Sequence, residues 1–141
     1  RSMRMILYIS TARRHLAPGD IVDILRTARA RNKISGVTGI LLYDRVRFME
    51  VLEGPAEAVE ATFGRIQKDN RHFGLVKLED RRIAERQFGE TSMVAYGTVE
   101  DDLANSIEEI DAMLDTLTDL SLRDQIKSFA RIRATDPDRM H

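Results

Sequence analysis

Between Gly36 and Gly54 the chain reads GVTGILLYDRVRFMEVLEG, two apolar runs (Val37 to Tyr43 and Phe48 to Leu52) flanking a polar Asp44-Arg45 pair. Runs of this length broken by so short a polar stretch predict a β-hairpin. Side chains alternate along a strand, so Phe48, Glu50 and Leu52 share one face of the second run while Met49 and Val51 share the other. Both faces are apolar, which calls for a sheet covered on both sides. Glu50 then points into apolar company. An ionised carboxylate there is costly unless paired, and otherwise its pKa rises until it holds a proton. A chain that places Glu50 in such a position is either using it or tolerating it.

The flanking sequence supplies the rest of a small α+β domain. Met5 to Ser10 predicts a first strand, with Tyr8 on the face of Ile6. Pro18-Gly19-Asp20 follows, with Asp20 the expected N-cap. Ile21, Ile24, Leu25 and Ala28 recur at helical spacing, predicting a helix to about Arg31 with Asn32 at its end. Gly54-Pro55 begins a second helix with proline in its first turn and a stripe of Val59, Thr62, Phe63 and Ile66. Strands are expected at about Gly74 to Leu78 and Glu90 to Ala95. The order β-α-β-β-α-β-β predicts a ferredoxin-like sandwich with one added strand and both helices on one face.

The second face, with Met5, Leu7, Met49 and Val51, needs a cover. Leu103, Ile107, Ile110, Leu114 and Leu117, then Leu122, Ile126, Phe129 and Ile132, recur every three or four residues. They predict two additional C-terminal amphipathic helices, which either fold back on the sheet or form a dimer interface. The expected division is a domain over residues 3–97 and a helical extension over 98–141 serving as a cap or as a dimer or output element. Arg1-Ser2 before Met3 reads as a cloning remnant and is left out of this division.

Composition narrows the function classes. With 141 residues and 43% hydrophobic content, one ordinary domain with a core is expected. No apolar run approaches the ~18 residues of a membrane span. The absence of cysteine removes disulfides and thiol chemistry, and the three histidines, His15, His72 and His141, lack metal-binding spacing. A cytoplasmic location with no metal is expected. Residues 1–97 hold 17 basic and 12 acidic side chains, whereas residues 98–141 hold 5 and 11, so the tail opposes the body in charge. The basic residues do not interleave with aromatics, which argues against nucleic-acid binding.

Five ordered patterns carry a resemblance: Leu7-Tyr8-Ile9-Ser10; Asn32-x-x-x-Gly36-Val37-Thr38-Gly39-x-Leu41; Phe48-x-x-x-Leu52-Glu53-Gly54; Ile66-x-x-Asp69-x-Arg71-His72; and Arg86-x-Phe88 leading to Met93. Over about residues 5–95 the chain resembles the BLUF family, blue-light sensors that hold FAD between the two helices of a ferredoxin-like domain. The resemblance implies that Tyr8 gives an electron and a proton to the photoexcited flavin and that Asn32 hydrogen-bonds its C4=O/N3 edge. It implies that Arg65, Asp69, Arg71 and His72 meet another polar edge or the ribityl-phosphate side, that Ile24, Phe48 and Ile66 sandwich the ring, and that Met93 approaches the hydrogen-bond bridge. Taken singly these residues have ordinary readings: Tyr8 a core tyrosine, Asn32 a helix cap, Arg65 and Asp69 a surface ion pair, Met93 core filler.

Glu50 departs from the pattern, since the family has glutamine there, bridging the tyrosine hydroxyl and the flavin. A glutamine has one accepting and one donating end, so its rearrangement creates a distinct state. The oxygens of a protonated carboxyl become equivalent once the proton moves. The expectation is that FAD binds but that the long-lived red-shifted state is lost or short. A tryptophan common in the family is also replaced within Glu90-Thr91-Ser92. The leading expectation is a non-enzymatic photoreceptor, homo-oligomeric, acting on an unknown protein partner through its C-terminal helices. The alternative is a degenerate, light-insensitive interaction or dimerisation module. An acylphosphatase-like hydrolase would need a glycine-rich anion loop, and Thr11-Ala12-Arg13-Arg14-His15 has no glycine.

Overall fold

The computed structural model describes residues 2–14, 16–89, 94–96 and 107–135. The chain runs β1 (Met3–Ala12), α1 (Pro18–Ser35), β2 (Thr38–Tyr43), β3 (Arg47–Pro55), α2 (Ala56–Gln67), β4 (His72–Ile83), β5 (Val94–Tyr96), α3 (Ile107–Leu114) and α4 (Leu120–Thr135). The strands form one sheet in the order β4-β1-β3-β2-β5, antiparallel except where β5 pairs with β2. This is the expected ferredoxin-like α+β arrangement with the added strand at one edge.

The hairpin forms where the sequence placed it. Asp44, itself buried, accepts from the backbone N–H groups of Val46 and Arg47 at 2.9 and 2.6 Å. This Asx-type turn holds Arg45 at φ 77°. Gly39 has a separate reason to be glycine: a Cβ there would strike the Val51 backbone carbonyl of the neighbouring strand.

Two cores lie on opposite faces of the sheet. On the α1/α2 side Ile6, Tyr8, Leu41, Phe48 and Leu52 pack with Ile21, Leu25, Val59 and Phe63. On the other side Met5, Leu7, Ile40, Leu42, Met49 and Val51 lie under Ile110, Leu114, Leu117, Leu122, Ile126 and Phe129. Of the two arrangements open to the tail, the described part folds back. Burying each such apolar side chain contributes roughly 1.5–3 kcal/mol, which makes the apolar stripe the main driving force for its docking. Leu103 lies outside the described residues, and only the backbone is described at Ile107 and Ile132.

Several boundaries differ from expectation for physical reasons. Helix α1 continues to Ser35, so Asn32 sits inside its last turn. The termination belongs to Gly36 in the left-handed region at φ 79°, with the Asn32 carbonyl accepting from Gly36 and Val37 at 2.8 and 3.0 Å. Asp20 is the third residue of that helix, not its cap; Ala17 takes the N-cap, and the Asp20 carboxylate accepts the Ala17 N–H at 2.9 Å. Pro55 is likewise the N-cap of α2 and stands outside its first turn. Strand β1 extends to both sides of the expected span, and Thr11 and Ala12 belong to it and not to a loop. Strand β4 is twelve residues long, more than twice the expected span, because it pairs along the whole of β1 despite the charged run Glu79-Asp80-Arg81-Arg82. As an edge strand it leaves Arg81 and Arg82 exposed and pairs Glu79 with Arg81 and Asp80 with Arg4, so apolarity was a poor guide to its length. The fifth strand is seen at Val94–Tyr96; residues 90–93 of the expected span lie outside the described residues.

Candidate functional site

A cleft opens between α1 and α2. Its floor is the sheet: Tyr8 from β1, Leu41 from β2, and Phe48 and Glu50 from β3. Helix α1 contributes Ile24, Thr27, Ala28, Arg31 and Asn32, which recur at helical spacing along one face. Helix α2, the turn after it and the start of β4 contribute Thr62, Arg65, Ile66, Asp69, Arg71 and His72.

Tyr8 and Glu50 are direct partners in the β1–β3 ladder, so strand register sets them side by side on the same face. The Tyr8 hydroxyl donates to Glu50 Oε1. Both side chains are buried, at 3% and 5% exposure. Burial pushes the Glu50 carboxyl up to about 7, and the hydrogen bond from Tyr8 opposes that rise. The phenol moves far upward too, first through burial and then through the negative charge of Glu50. Edge-on packing of Phe63 against the Tyr8 ring, with centroids 5.8 Å apart, fixes the phenol from the α2 side.

His72 is held at both ring nitrogens: Nε2 lies 2.7 Å from the Ile66 carbonyl and Nδ1 2.7 Å from Ser10 Oγ. A carbonyl only accepts, so Nε2 carries the proton, and in the neutral ring Nδ1 accepts from the Ser10 hydroxyl. His72 therefore ties the end of α2 to β1 and presents its ring, without a spare nitrogen, to the cleft. Asp69 is paired with Arg71 through Arg71 Nη2 at 2.6 Å and Nε at 3.0 Å, which holds its carboxyl below the usual range. The ordinary reading of an Arg65–Asp69 helix pair does not hold, since Arg65 donates to Thr62 Oγ1 at 3.2 Å and Asp69 faces Arg71.

Every residue that the sequence marked for ligand contact lines this one cleft: Tyr8, Ile24, Asn32, Phe48, Glu50, Arg65, Ile66, Asp69, Arg71 and His72. Met93 lies outside the described residues. The sequence reading overlooked Leu41 and Thr62, and also Thr27, Ala28 and Arg31, whose spacing from Ile24 and Asn32 on one helix would have found them.

The chain matches the sequence profile of BLUF, "sensors of blue-light using FAD", over residues 3–94. The chain belongs to the BLUF family. Among curated BLUF relatives, photoactivated adenylate cyclase subunit alpha of Euglena gracilis is 33% identical over 94% of this chain but 12% of its own length. The blue light- and temperature-regulated antirepressor BluF of Escherichia coli is 37% identical over 54% of this chain and 19% of its own. The chain thus spans a small part of the relatives it matches. Among solved structures, Klebsiella pneumoniae BlrP1 with FMN and cyclic diGMP superposes with a TM-score of 0.73 at 28% identity, covering 94% of this chain and 35% of that one. BlsA in its photo-activated state gives 0.66 at 27%, covering 82% and 94%. Among the described residues, no helix is long and apolar enough to cross a membrane. Among the described residues, no group of His, Asp and Glu could hold a metal ion.

Proposed function

We propose that this BLUF domain binds FAD in the α1/α2 cleft and serves as a blue-light photoreceptor whose photocycle is altered by Glu50. The observation that carries this reading is the buried Tyr8–Glu50 hydrogen bond at the floor of a slot with apolar walls. The lining suits a flat heterocycle with a polar edge. Ile24, Ile66, Phe48 and Leu41 supply apolar surface for the ring faces, and buried Asn32 brings an amide, donor and acceptor together, to the same cleft. When bound there, FAD supplies the absorption of blue light and an excited state that accepts an electron.

The chain's own residues supply the rest. Tyr8 serves as the electron donor in this reading, and its hydroxyl proton has Glu50 as acceptor. Proton loss to Glu50 Oε1 leaves a neutral carboxyl whose two oxygens differ only by where the proton sits. Rotation of that carboxyl, or transfer of its proton, returns an equivalent arrangement, whereas the two ends of a glutamine amide are chemically distinct. Glu50 therefore fails to hold a separate post-illumination state, and the red-shifted form is lost or short-lived.

Residues 3–97 form the flavin domain in this reading, and residues 98–141 the element through which contact with another protein, or with a second copy, changes. The domain is a cytoplasmic sensor without catalysis of its own. Glu50 in place of glutamine gives specific support to a second reading, a light-insensitive interaction module that keeps the fold.

Absorption spectra in the dark, during blue light and afterwards test the proposal. A yellow protein without a persistent red shift, which gains one on Glu50→Gln, is the expected result. A persistent shift in the unaltered protein would overturn the role given to Glu50. A colourless protein that takes up no added FAD would leave the second reading standing.

A further inference from the structure

Helices α1 and α3 each turn a charged stripe to solvent, and the two stripes are opposite in sign. On α1, Arg26, Ala30 and Lys33 stand at i, i+4 and i+7, all exposed and outside the cleft lining. Among the described residues neither Arg26 nor Lys33 is paired with a carboxylate. On α3, Glu108, Ala112 and Asp115 repeat the same spacing, again exposed, with Asp111 beside them. The Asp115 N–H donates to the Asp111 carbonyl at 3.1 Å, which carries the helical turn past Leu114. Asp115 also meets Lys127 of α4 at 3.0 Å, yet its side chain stays 69% exposed. An exposed aliphatic residue follows each stripe, Ile34 at 88% and Leu120 at 56%.

The two stripes cannot meet within one chain. Helix α1 packs on one face of the sheet through Ile21 and Leu25, and α3 on the other through Ile110 and Leu114. We propose that they meet between chains, the α3 stripe of one copy lying along the α1 stripe of the next. In a parallel alignment Glu108 faces Arg26, Asp115 faces Lys33, and the two alanines oppose each other between them. Equal residue steps give equal rise along the axis, so both charge pairs fall into register together. The small side chains of Ala30 and Ala112 let the axes approach closely. Ile34 and Leu120 then lie at the same end of the contact. Each copy carries its two stripes on opposite faces, so a pair of copies leaves one of each unused. The contact is therefore heterologous, and it propagates instead of closing as a dimer. Exposed ion pairs are individually weak and screened by salt, so the assembly forms at high concentration and low ionic strength. The proposal rests on the role given above to the tail as a contact element, and it names the partner as a second copy. It needs no bound flavin, since neither stripe lines the cleft.

Sedimentation velocity of the purified protein in the dark, over rising concentration, tests the proposal. At about 0.02 M salt the average mass should climb beyond the dimer, and at about 0.5 M it should return to the monomer. Reversing one stripe by Arg26→Glu/Lys33→Glu, or the other by Glu108→Lys/Asp115→Lys, should leave each variant monomeric. An equimolar mixture of the two variants should associate again, because each keeps the native stripe that the other has reversed. That recovery separates loss of the contact from failure to fold. Arg14→Glu/Lys68→Glu, the same change of charge at exposed sites off both helices, should leave association intact. A protein that stays monomeric at every concentration in low salt overturns the proposal. So does an assembly that survives either reversal, a mixture that stays monomeric, or a control variant that dissociates as well. The colour of the same sample reports the flavin reading separately: a colourless protein that takes up no FAD yet associates overturns that reading alone.

Discussion

Tyr8 and Glu50 oppose each other across the β1–β3 ladder, and the phenol donates to a buried carboxyl group. The pair is polar, buried and ionisable in a wall otherwise built from Ile6, Leu52 and Phe48. Its protonation is therefore tied to the stability of the fold.

Burial raises Glu50 from 4.5 in the ordinary state to about 7 in the fold. Between those values the folded chain keeps a proton that the unfolded chain has released, so stability falls as pH rises through that window. The contribution is fully present below pH 4.5, is lost by just above pH 7, and amounts to about 3 kcal/mol. Urea unfolding of the flavin-free protein and of Glu50→Gln between pH 4.5 and 8 measures it. The unaltered protein should lose stability relative to the variant as pH rises, and a difference flat with pH would refute the assignment.

Removing the phenol acts in the opposite sense to the hydrogen bond it provides. That bond lowers the Glu50 pKa, so Tyr8→Phe should move the titration of Glu50 above 7, read by carboxyl NMR. Once ionised, the carboxylate is left without its partner, at a cost of about 1–3 kcal/mol. An unmoved or lowered titration would count against the pair.

Gln87 bridges the sheet and the tail. Its side-chain oxygen accepts from the N–H groups of Thr118 and Asp119 at 2.8 and 3.1 Å, and its amide donates to Thr118 Oγ1 at 2.9 Å. Gln87→Ala should loosen the turn between α3 and α4, costing about 1–2 kcal/mol. Hydrogen exchange there should quicken while exchange at β1 and β3 stays slow. Unchanged protection in the tail would show that the apolar stripe suffices.

Gly39→Ala should be among the more damaging small changes, since the added methyl would strike the Val51 carbonyl and the β2–β3 pairing would have to open. A loss of about 2 kcal/mol or more is expected from denaturant midpoints. A near-neutral result would mean that the two strands separate with little cost.

The hairpin, the ferredoxin-like order and the cleft-lining residues were legible because each leaves a local mark. Asp44 before a positive-φ residue marks the turn, Ile24 to Asn32 keep helical period, and Glu50 interrupts an apolar face. What escaped the reading depends on partners distant in sequence. Strand β4 is defined by β1 and not by its own charged residues. Asp20 looked like a cap because Ala17 has no capping side chain; Pro18 at the first helical position was the mark that went unread. Glu53 gave no hint of its fate. It is fully buried and accepts from the backbone of Gln87 and Phe88 at 2.8 and 2.7 Å and from Thr38 Oγ1 at 3.0 Å, contacts up to 35 residues away.

Strand β3 shows Glu50 to the cleft, Met49 and Val51 to the tail, and through Glu53 holds the backbone of Gln87, whose side chain grips α3–α4. The cleft and the tail are thus two surfaces of one strand. If filling the cleft shifts the docking equilibrium of the tail by some factor, a docked tail shifts the ligand affinity of the cleft by the same factor. A protein seizing the tail would then be felt at the cleft as surely as a ligand is felt at the tail, and the flavin affinity of the domain would register which partner is bound.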